Sequence, residues 1–159
     1  MKITVKKLKE LGACSDGIDM FREAFPDGGE FRDVVERAIA IGAIDDALWL
    51  APRVLTNEDA VRYAVFAARE ALPIFEAKYP EDNRPRKAIE AAEEWLANPC
   101  AETAFAAFAA ADAAAYAAFA AADAARAARA ARDELKIKLL RHAVELIEKE
   151  QNETTHRKD

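Results

Sequence analysis

The segment from Ala104 to Ala125 contains an 11-residue unit, AFAAFAAADAA, that is repeated once with tyrosine in place of the first phenylalanine. Because each residue of an α-helix turns the chain by about 100°, eleven residues come within about 20° of three whole turns. Equivalent side chains of the two units therefore share one face of a single long helix. That face carries the aromatic residues and the aspartates of both units: Phe105, Phe108, Tyr116, Phe119, Asp112 and Asp123. The repeat predicts an alanine-rich helix that buries an aromatic stripe and lets neighbouring helices approach closely on its other sides.

The rest of the chain is also expected to be helical. All five glycines lie within the first 42 residues, and no segment shows the alternation that indicates a strand. Thr4 and Gly12 are typical of the two ends of a short helix, and Gly42 is typical of the end of another. We therefore predict an all-α fold, a helical bundle around the long alanine-rich central helix, with short helices in the N-terminal third. The aromatic stripe should face three side chains of the preceding segment: Phe75, Ile89 and Trp95.

Prolines and capping residues predict where the other helices begin, bend and end. Ser15 or Asp16 should begin the second helix, and Pro52 should stop or bend the fourth. Thr56 should begin a helix that extends to about residue 78, with a kink or break at Pro73. A further break or bend is expected near residues 132–134, since one uninterrupted helix from the repeat onward would be unusually long.

These boundaries predict three segments. They are an N-terminal subdomain of short helices over residues 1–55, a C-terminal helical bundle over 56–151 and a disordered tail over 152–159. The last helix of the bundle should bury the apolar positions of an amphipathic pattern: Ile137, Leu140, Val144 and Ile147.

The charge of the chain constrains its partners. A net charge of −6 over 159 residues disfavours direct binding of nucleic acid and favours a basic protein partner. The alanine-rich stretch is long enough to cross a bilayer, but charged residues interrupt it, so no membrane association is expected. Those residues are Asp112, Asp123, Arg126 and Arg129.

The two cysteines, Cys14 and Cys100, have neither the spacing nor the neighbouring histidines of a metal or redox motif. They predict two free, buried thiols in a reducing compartment. The N-terminus has no apolar stretch of the kind found in a signal peptide. We therefore expect a cytoplasmic protein.

The aspartates of the repeat are the first candidates for chemistry. Asp112 and Asp123 lie about 16 Å apart along a straight helix, too far to share one proton or one metal ion. A buried carboxylate needs a cationic partner, for which Arg84, Arg86 and Arg126 are candidates. The alternatives are internal ion pairs that orient helix packing, or a polar pocket that binds a small ligand. The nearby Arg126, Arg129 and Arg132 could likewise form a solvated face or bind an acidic group.

No other catalytic or cofactor signature is found in the sequence. The chain has no HExxH, phosphate-binding loop, GxGxxG or GxSxG motif, and its two histidines are isolated. We accordingly expect no catalytic residues, no metal, no cofactor and no enzymatic activity.

One string is more specific than a generic helix. It runs Pro80-Glu81-Asp82-Asn83-Arg84-Pro85-Arg86 and is followed by Ala88-Ile89-Glu90-Ala91-Ala92 and Trp95. With the alanine-rich helix downstream, residues 60–148 resemble the putative immunity protein family (immunity protein 5 type) of bacterial toxin systems. The motif residues are Asp82, Arg84, Pro85, Arg86 and Trp95, and their role is structural or in binding. Residues 1–50 are more weakly similar to small phage proteins of unknown function.

The resemblance implies a non-enzymatic protein that binds a toxin and blocks its active site. Acidic charge would suit a basic toxin, and exposed acids of the motif helix would form the contact surface: Glu90, Glu93 and Glu94. The alternatives are a phage-encoded anti-defence or accessory protein that binds a host defence complex, and a ligand binder or enzyme with a polar pocket near Asp112 and Asp123. The aromatic stripe could also serve self-association as a homo-oligomer.

Overall fold

The structure, a computed structural model, describes residues 1–98 and 129–156. Within these ranges the fold is all-α, as predicted, with seven helices and one very short strand pair. The helices are α1 (Val5–Glu10), α2 (Ser15–Ala24), α3 (Phe31–Ile41), α4 (Ile44–Val54), α5 (Asn57–Lys78), α6 (Arg84–Ala97) and α7 (Arg129–His156). The strands β1 (Lys2–Ile3) and β2 (Gly29–Glu30) pair antiparallel, and two residues are too few to produce an alternating sequence pattern.

The repeat itself lies outside the described residues. The predictions for Phe105, Phe108, Asp112, Tyr116, Phe119 and Asp123 therefore stay predictions, as do those for Cys100 and for the arginine cluster of Arg126, Arg129 and Arg132.

The chain groups into two compact units, Met1–Leu55 with Leu140–Asp159, and Thr56–Leu139. The predicted boundary after residue 55 coincides with a boundary between these units. The predicted C-terminal bundle of residues 56–151 differs from the second unit, which ends at Leu139.

In the first unit, local capping places the short helices. The Thr4 hydroxyl oxygen accepts a hydrogen bond from the Lys7 amide at 3.2 Å and begins α1. Gly12 and Gly42 end α1 and α3 with φ values of 79° and 78°. The N-cap of α2 is Cys14, whose Sγ accepts a hydrogen bond from the Gly17 amide at 3.4 Å. The helix α2 begins at Ser15, as predicted, and its cap is the preceding residue, Cys14. The prediction of a buried Cys14 thiol was wrong, because Cys14 is exposed.

The core of the first unit contains side chains from distant parts of the sequence. Its most buried members are Ile3, Phe31, Val35, Ala51, Leu140 and Ala143. The Phe31 amide donates to the Met1 carbonyl oxygen at 2.9 Å, which extends the pairing of the two strands. Arg32 on α3 donates two hydrogen bonds to the Glu148 carboxylate on α7, and this pair lowers the pKa of Glu148.

The second unit contains α5, α6 and the start of α7. Thr56 begins α5 as predicted, because its hydroxyl oxygen accepts a hydrogen bond from the Asp59 amide at 3.2 Å. Ala68 and Leu72 of α5 form a buried cluster with Ile89 of α6.

Neither proline ends its helix. The fourth helix contains Pro52 and continues to Val54, and α5 contains Pro73 and continues to Lys78. Both prolines are exposed, so water can hydrate the backbone carbonyl that loses its hydrogen bond. The predicted break at Pro73 was therefore wrong.

The last helix is also continuous where the sequence predicted a break or bend at residues 132–134. It extends through residues 152–156, where we expected disorder. The Lys149 ammonium lies 3.9 Å from the Glu153 carboxylate, and the Thr154 hydroxyl donates to the Glu150 carbonyl at 2.8 Å. Pairs of residues one turn apart support a helical end that polar composition alone does not indicate.

Candidate functional site

The predicted motif forms the connection from α5 to α6. The Arg84 amide and Nε donate to Asp82 Oδ1 at 3.1 and 2.9 Å, and Arg84 Nη2 donates to Oδ2 at 2.6 Å. Pro85 is buried in the first turn of α6, where its missing N–H costs no hydrogen bond. The Asn83 side chain forms no capping hydrogen bond, so the Asp82 carboxylate supports the start of α6. The motif thus fixes a helix start.

The arginines on either side of this connection form two-pronged ion pairs between α5 and α6. Arg86 Nε and Nη2 donate to the Glu76 carboxylate at 2.9 and 2.8 Å. Arg69 Nε and Nη2 donate to the Glu93 carboxylate at 2.6 and 2.8 Å. Bidentate geometry holds the two helices in register as well as attracting them. Trp95, the last motif residue, is half-buried on α6.

Of the three acids that were predicted as a partner surface, one takes part in these ion pairs and two do not. Glu93 is committed to Arg69, so it is part of the helix pair. Glu90 and Glu94 are exposed, lie one turn apart on α6, and form no salt bridge among the described contacts. The structure therefore brings two of the three predicted acids together at the surface.

An apolar groove that was not predicted from the sequence lies elsewhere, in the first unit. Helices α1 to α4 enclose an open groove of about 410 Å³. Buried side chains, including Phe21 and Leu50, form its floor, while the exposed Ile41 and half-buried Trp49 form its lip. Arg37, Asp45 and Asp46 are the charged residues that line it. The only indication of the groove in the sequence was that α3 and α4 carry large apolar residues in addition to those on their core-facing sides.

The described residues give no sign of a metal centre or a membrane span. No group of three or more potential ligands among their His, Cys, Asp and Glu side chains could hold a metal ion. No helix in the described ranges is long and apolar enough to cross a membrane.

The Asp82–Arg84 contact makes a direct prediction about titration. The side-chain and backbone hydrogen bonds from Arg84 lower the pKa of Asp82 from 3.8 to about 2. Any stability from this depressed pKa is present above pH 3.8 and is lost as the pH falls through about 2. NMR titration of the Asp82 carboxyl carbon should give that midpoint.

In Arg84→Gln the pKa of Asp82 should rise toward 3.8, yet stay below it because the backbone donor remains. Arg86→Gln removes an arginine of the same helix that binds Glu76 instead, and should leave the Asp82 midpoint unchanged. Equal midpoints in Arg84→Gln and the parent chain would contradict the assigned cause.

Comparison with known families gives two matches. A family model of the YdhT N-terminal domain matches residues 1–57, the stretch that contains the groove. A model described as a family of unknown function (DUF6931) matches residues 34–145, more than half of the chain. No curated protein and no solved structure was found to match. Neither description names an immunity or phage protein, so those resemblances stay predictions.

Proposed function

We propose that this chain, which belongs to the family of unknown function DUF6931, is a non-enzymatic protein that binds and inhibits a basic partner protein, as a toxin immunity protein would. The observation that carries the proposal is the exposed pair Glu90 and Glu94 on α6. The inhibitory role rests on the resemblance of the motif and on the net charge of −6.

Among the described residues of its own unit, no cation forms a salt bridge with the acid pair. Arg69 of α5 and Arg86 of α6 are both bound to other carboxylates. Lys87 lies three residues before Glu90 but forms no salt bridge with it among the described contacts. The outward face of α6 therefore retains negative charge that a basic surface can complement.

The proximity of Glu90 and Glu94 slightly lowers the stability of α6. Two like charges one turn apart destabilise a helix by about 0.2–0.5 kcal/mol. A cation placed between Glu90 and Glu94 by a partner would remove that repulsion and add two favourable contacts. The same charges would also accelerate the encounter with a basic protein at low ionic strength.

The test is a charge reversal with a matched control. A partner is first captured with the parent chain as bait, and its affinity and activity are then measured with each variant. The double variant Glu90→Lys/Glu94→Lys should weaken binding by about tenfold or more, reduce its salt dependence and restore the partner's activity. The control Glu36→Lys/Glu150→Lys changes the net charge equally at two exposed glutamates outside the second unit.

Equal losses in the two double variants would show that only net charge matters, which would contradict a binding surface at α6. A captured partner that is acidic, or whose activity the chain leaves unchanged, would contradict the inhibitory proposal. The identity of the partner also separates the alternatives, since a toxin supports an immunity role and a host defence complex supports a phage accessory role.

A further inference from the structure

The groove of the first unit is a second surface, separate from Glu90 and Glu94. We infer that it is a docking site for an amphipathic helical segment of a partner protein, with apolar side chains entering the groove and a basic side chain meeting Asp46. This inference does not rest on the function proposed above.

Small residues of α2, α4 and the turn after α1 line part of the groove. Gly12, Gly17 and Ala47 lie along its walls, where larger side chains would fill it. Its volume of about 410 Å³ is within the range of cavities that accept ligands. The groove is therefore open space between helices that are otherwise packed around a buried core.

The lip of the groove is apolar where solvent reaches it. Ile41 is 42% exposed, although it is the last residue of α3 and borders the groove. Gly42 follows it with a φ of 78° and carries no side chain that could cover it. An exposed isoleucine at the edge of an apolar groove is typical of a place where another apolar surface binds. The Trp49 ring at the same groove contacts the Arg53 guanidinium, 4.3 Å from the ring centroid.

The polar groups distinguish a helix from a small molecule as the occupant. A small-molecule pocket has a few polar groups that converge on the ligand from inside. Here the charged side chains that line the groove, Arg37, Asp45 and Asp46, are exposed at its rim. An apolar centre with a charged rim is the arrangement that binds the apolar face of an amphipathic helix.

The charged side chains of the groove indicate which kind of amphipathic helix would bind there. Two carboxylates and one guanidinium line the groove, and the Arg53 guanidinium lies 4.3 Å from the ring of Trp49, so the charge argument depends on Asp46 and not on a net charge of the rim. Asp46 lies in the first turn of α4 and forms no salt bridge among the described contacts. A lysine or arginine beside the apolar stripe of the partner would meet Asp46, and an acidic residue there would be repelled.

The experiment titrates the full-length, isotope-labelled chain with a leucine–lysine amphipathic peptide of about five helical turns. A leucine–glutamate peptide of the same pattern is the charge control. The lysine peptide should bind saturably, shift the NMR signals of groove residues on α3 and α4, and bind about tenfold more tightly than the glutamate peptide.

Two pairs of variants locate the site. Ile41→Gln should weaken binding about fivefold, whereas Ile74→Gln, at an isoleucine that is 40% exposed on α5, should not change it. Asp46→Asn should weaken binding at low salt, whereas Asp33→Asn, in the first turn of α3, should not. The variant Glu90→Lys/Glu94→Lys should bind the peptide normally, which separates this site from the α6 surface.

Several results would overturn the inference. They include no saturable binding, shifts outside the groove, or equal losses in Ile41→Gln and Ile74→Gln. Binding of the apolar dye anilinonaphthalene sulfonate in the groove without peptide binding would assign a small-molecule pocket instead. A dimer in sedimentation analysis that Ile41→Gln dissociates would assign a second copy of this chain.

Discussion

Replacing Leu140 by alanine is expected to lower the free energy of unfolding by about 2–5 kcal/mol. Leu140 is 0% exposed and belongs to the unit that contains residues 1–55, although 84 residues of the sequence lie between Leu55 and Leu140.

 

The intervening residues 56–139 form the other unit, so the burial of Leu140 depends on a contact between distant parts of the sequence. Removing its isobutyl group would leave a cavity in the core of the first unit. Urea unfolding followed by circular dichroism would measure the loss.

The neighbouring Leu139 provides the matched control, because it is the same residue type on the same helix and is only partly buried. Leu139→Ala should cost clearly less than Leu140→Ala. Hydrogen exchange should also show faster exchange in the amides of residues 1–55 in Leu140→Ala. If exchange increased in α5 and α6 instead, Leu140 would belong with the second unit, as the sequence analysis predicted.

The helix ends that the sequence predicted correctly depend on local chemistry. Thr4 and Thr56 each accept a hydrogen bond from a backbone amide in the first turn of the helix that follows. Gly12 and Gly42 each adopt a left-handed conformation at a helix end. Such contacts join residues only a few positions apart, so the sequence alone can indicate them.

The predicted breaks within helices failed because they also relied on local rules, and the predicted kinks and bends stay predictions. A proline removes one donor, but the outcome depends on whether the released carbonyl is solvated and on what the rest of the helix buries. Pro73 is exposed, while Leu72 beside it is buried in the core of the second unit. Burial on either side of a proline is a tertiary property that its sequence position does not reveal.

The candidate site residues show the same contrast between contacts of neighbouring residues and contacts of residues far apart in the sequence. The sequence placed Asp82 and Arg84 in one motif, and the contact that the structure shows between them spans only two positions, although the sequence did not predict that they bind each other. It did not foresee that Arg69 would bind Glu93, which removes one of three predicted partner acids. The groove could not be predicted from the sequence because four helices must pack together to form it. The periodicity of a single helix carries no information about the space between helices.

Replacing Gly28 by alanine should be more damaging than the same substitution at Gly12 or Gly42. Gly28 has a φ of 82°, and a Cβ atom there would lie 2.7 Å from the carbonyl oxygen of Ile3. The left-handed conformation alone costs a non-glycine residue about 1–2 kcal/mol. The contact with the backbone of β1 should add about 1–3 kcal/mol, because the strand pair must move to relieve it.

Gly12→Ala and Gly42→Ala separate these two contributions. Both glycines have nearly the same φ as Gly28, but a Cβ atom at either position would meet nothing within 4 Å. The two variants should therefore lose only the free energy that the left-handed conformation costs a non-glycine residue, about 1–2 kcal/mol in thermal or urea unfolding. If all three variants lost the same free energy, the approach of Gly28 to Ile3 would contribute nothing. A larger loss for Gly28→Ala would instead show that the two-residue strand pair, which no sequence pattern indicated, is a structural requirement of the unit that carries the groove.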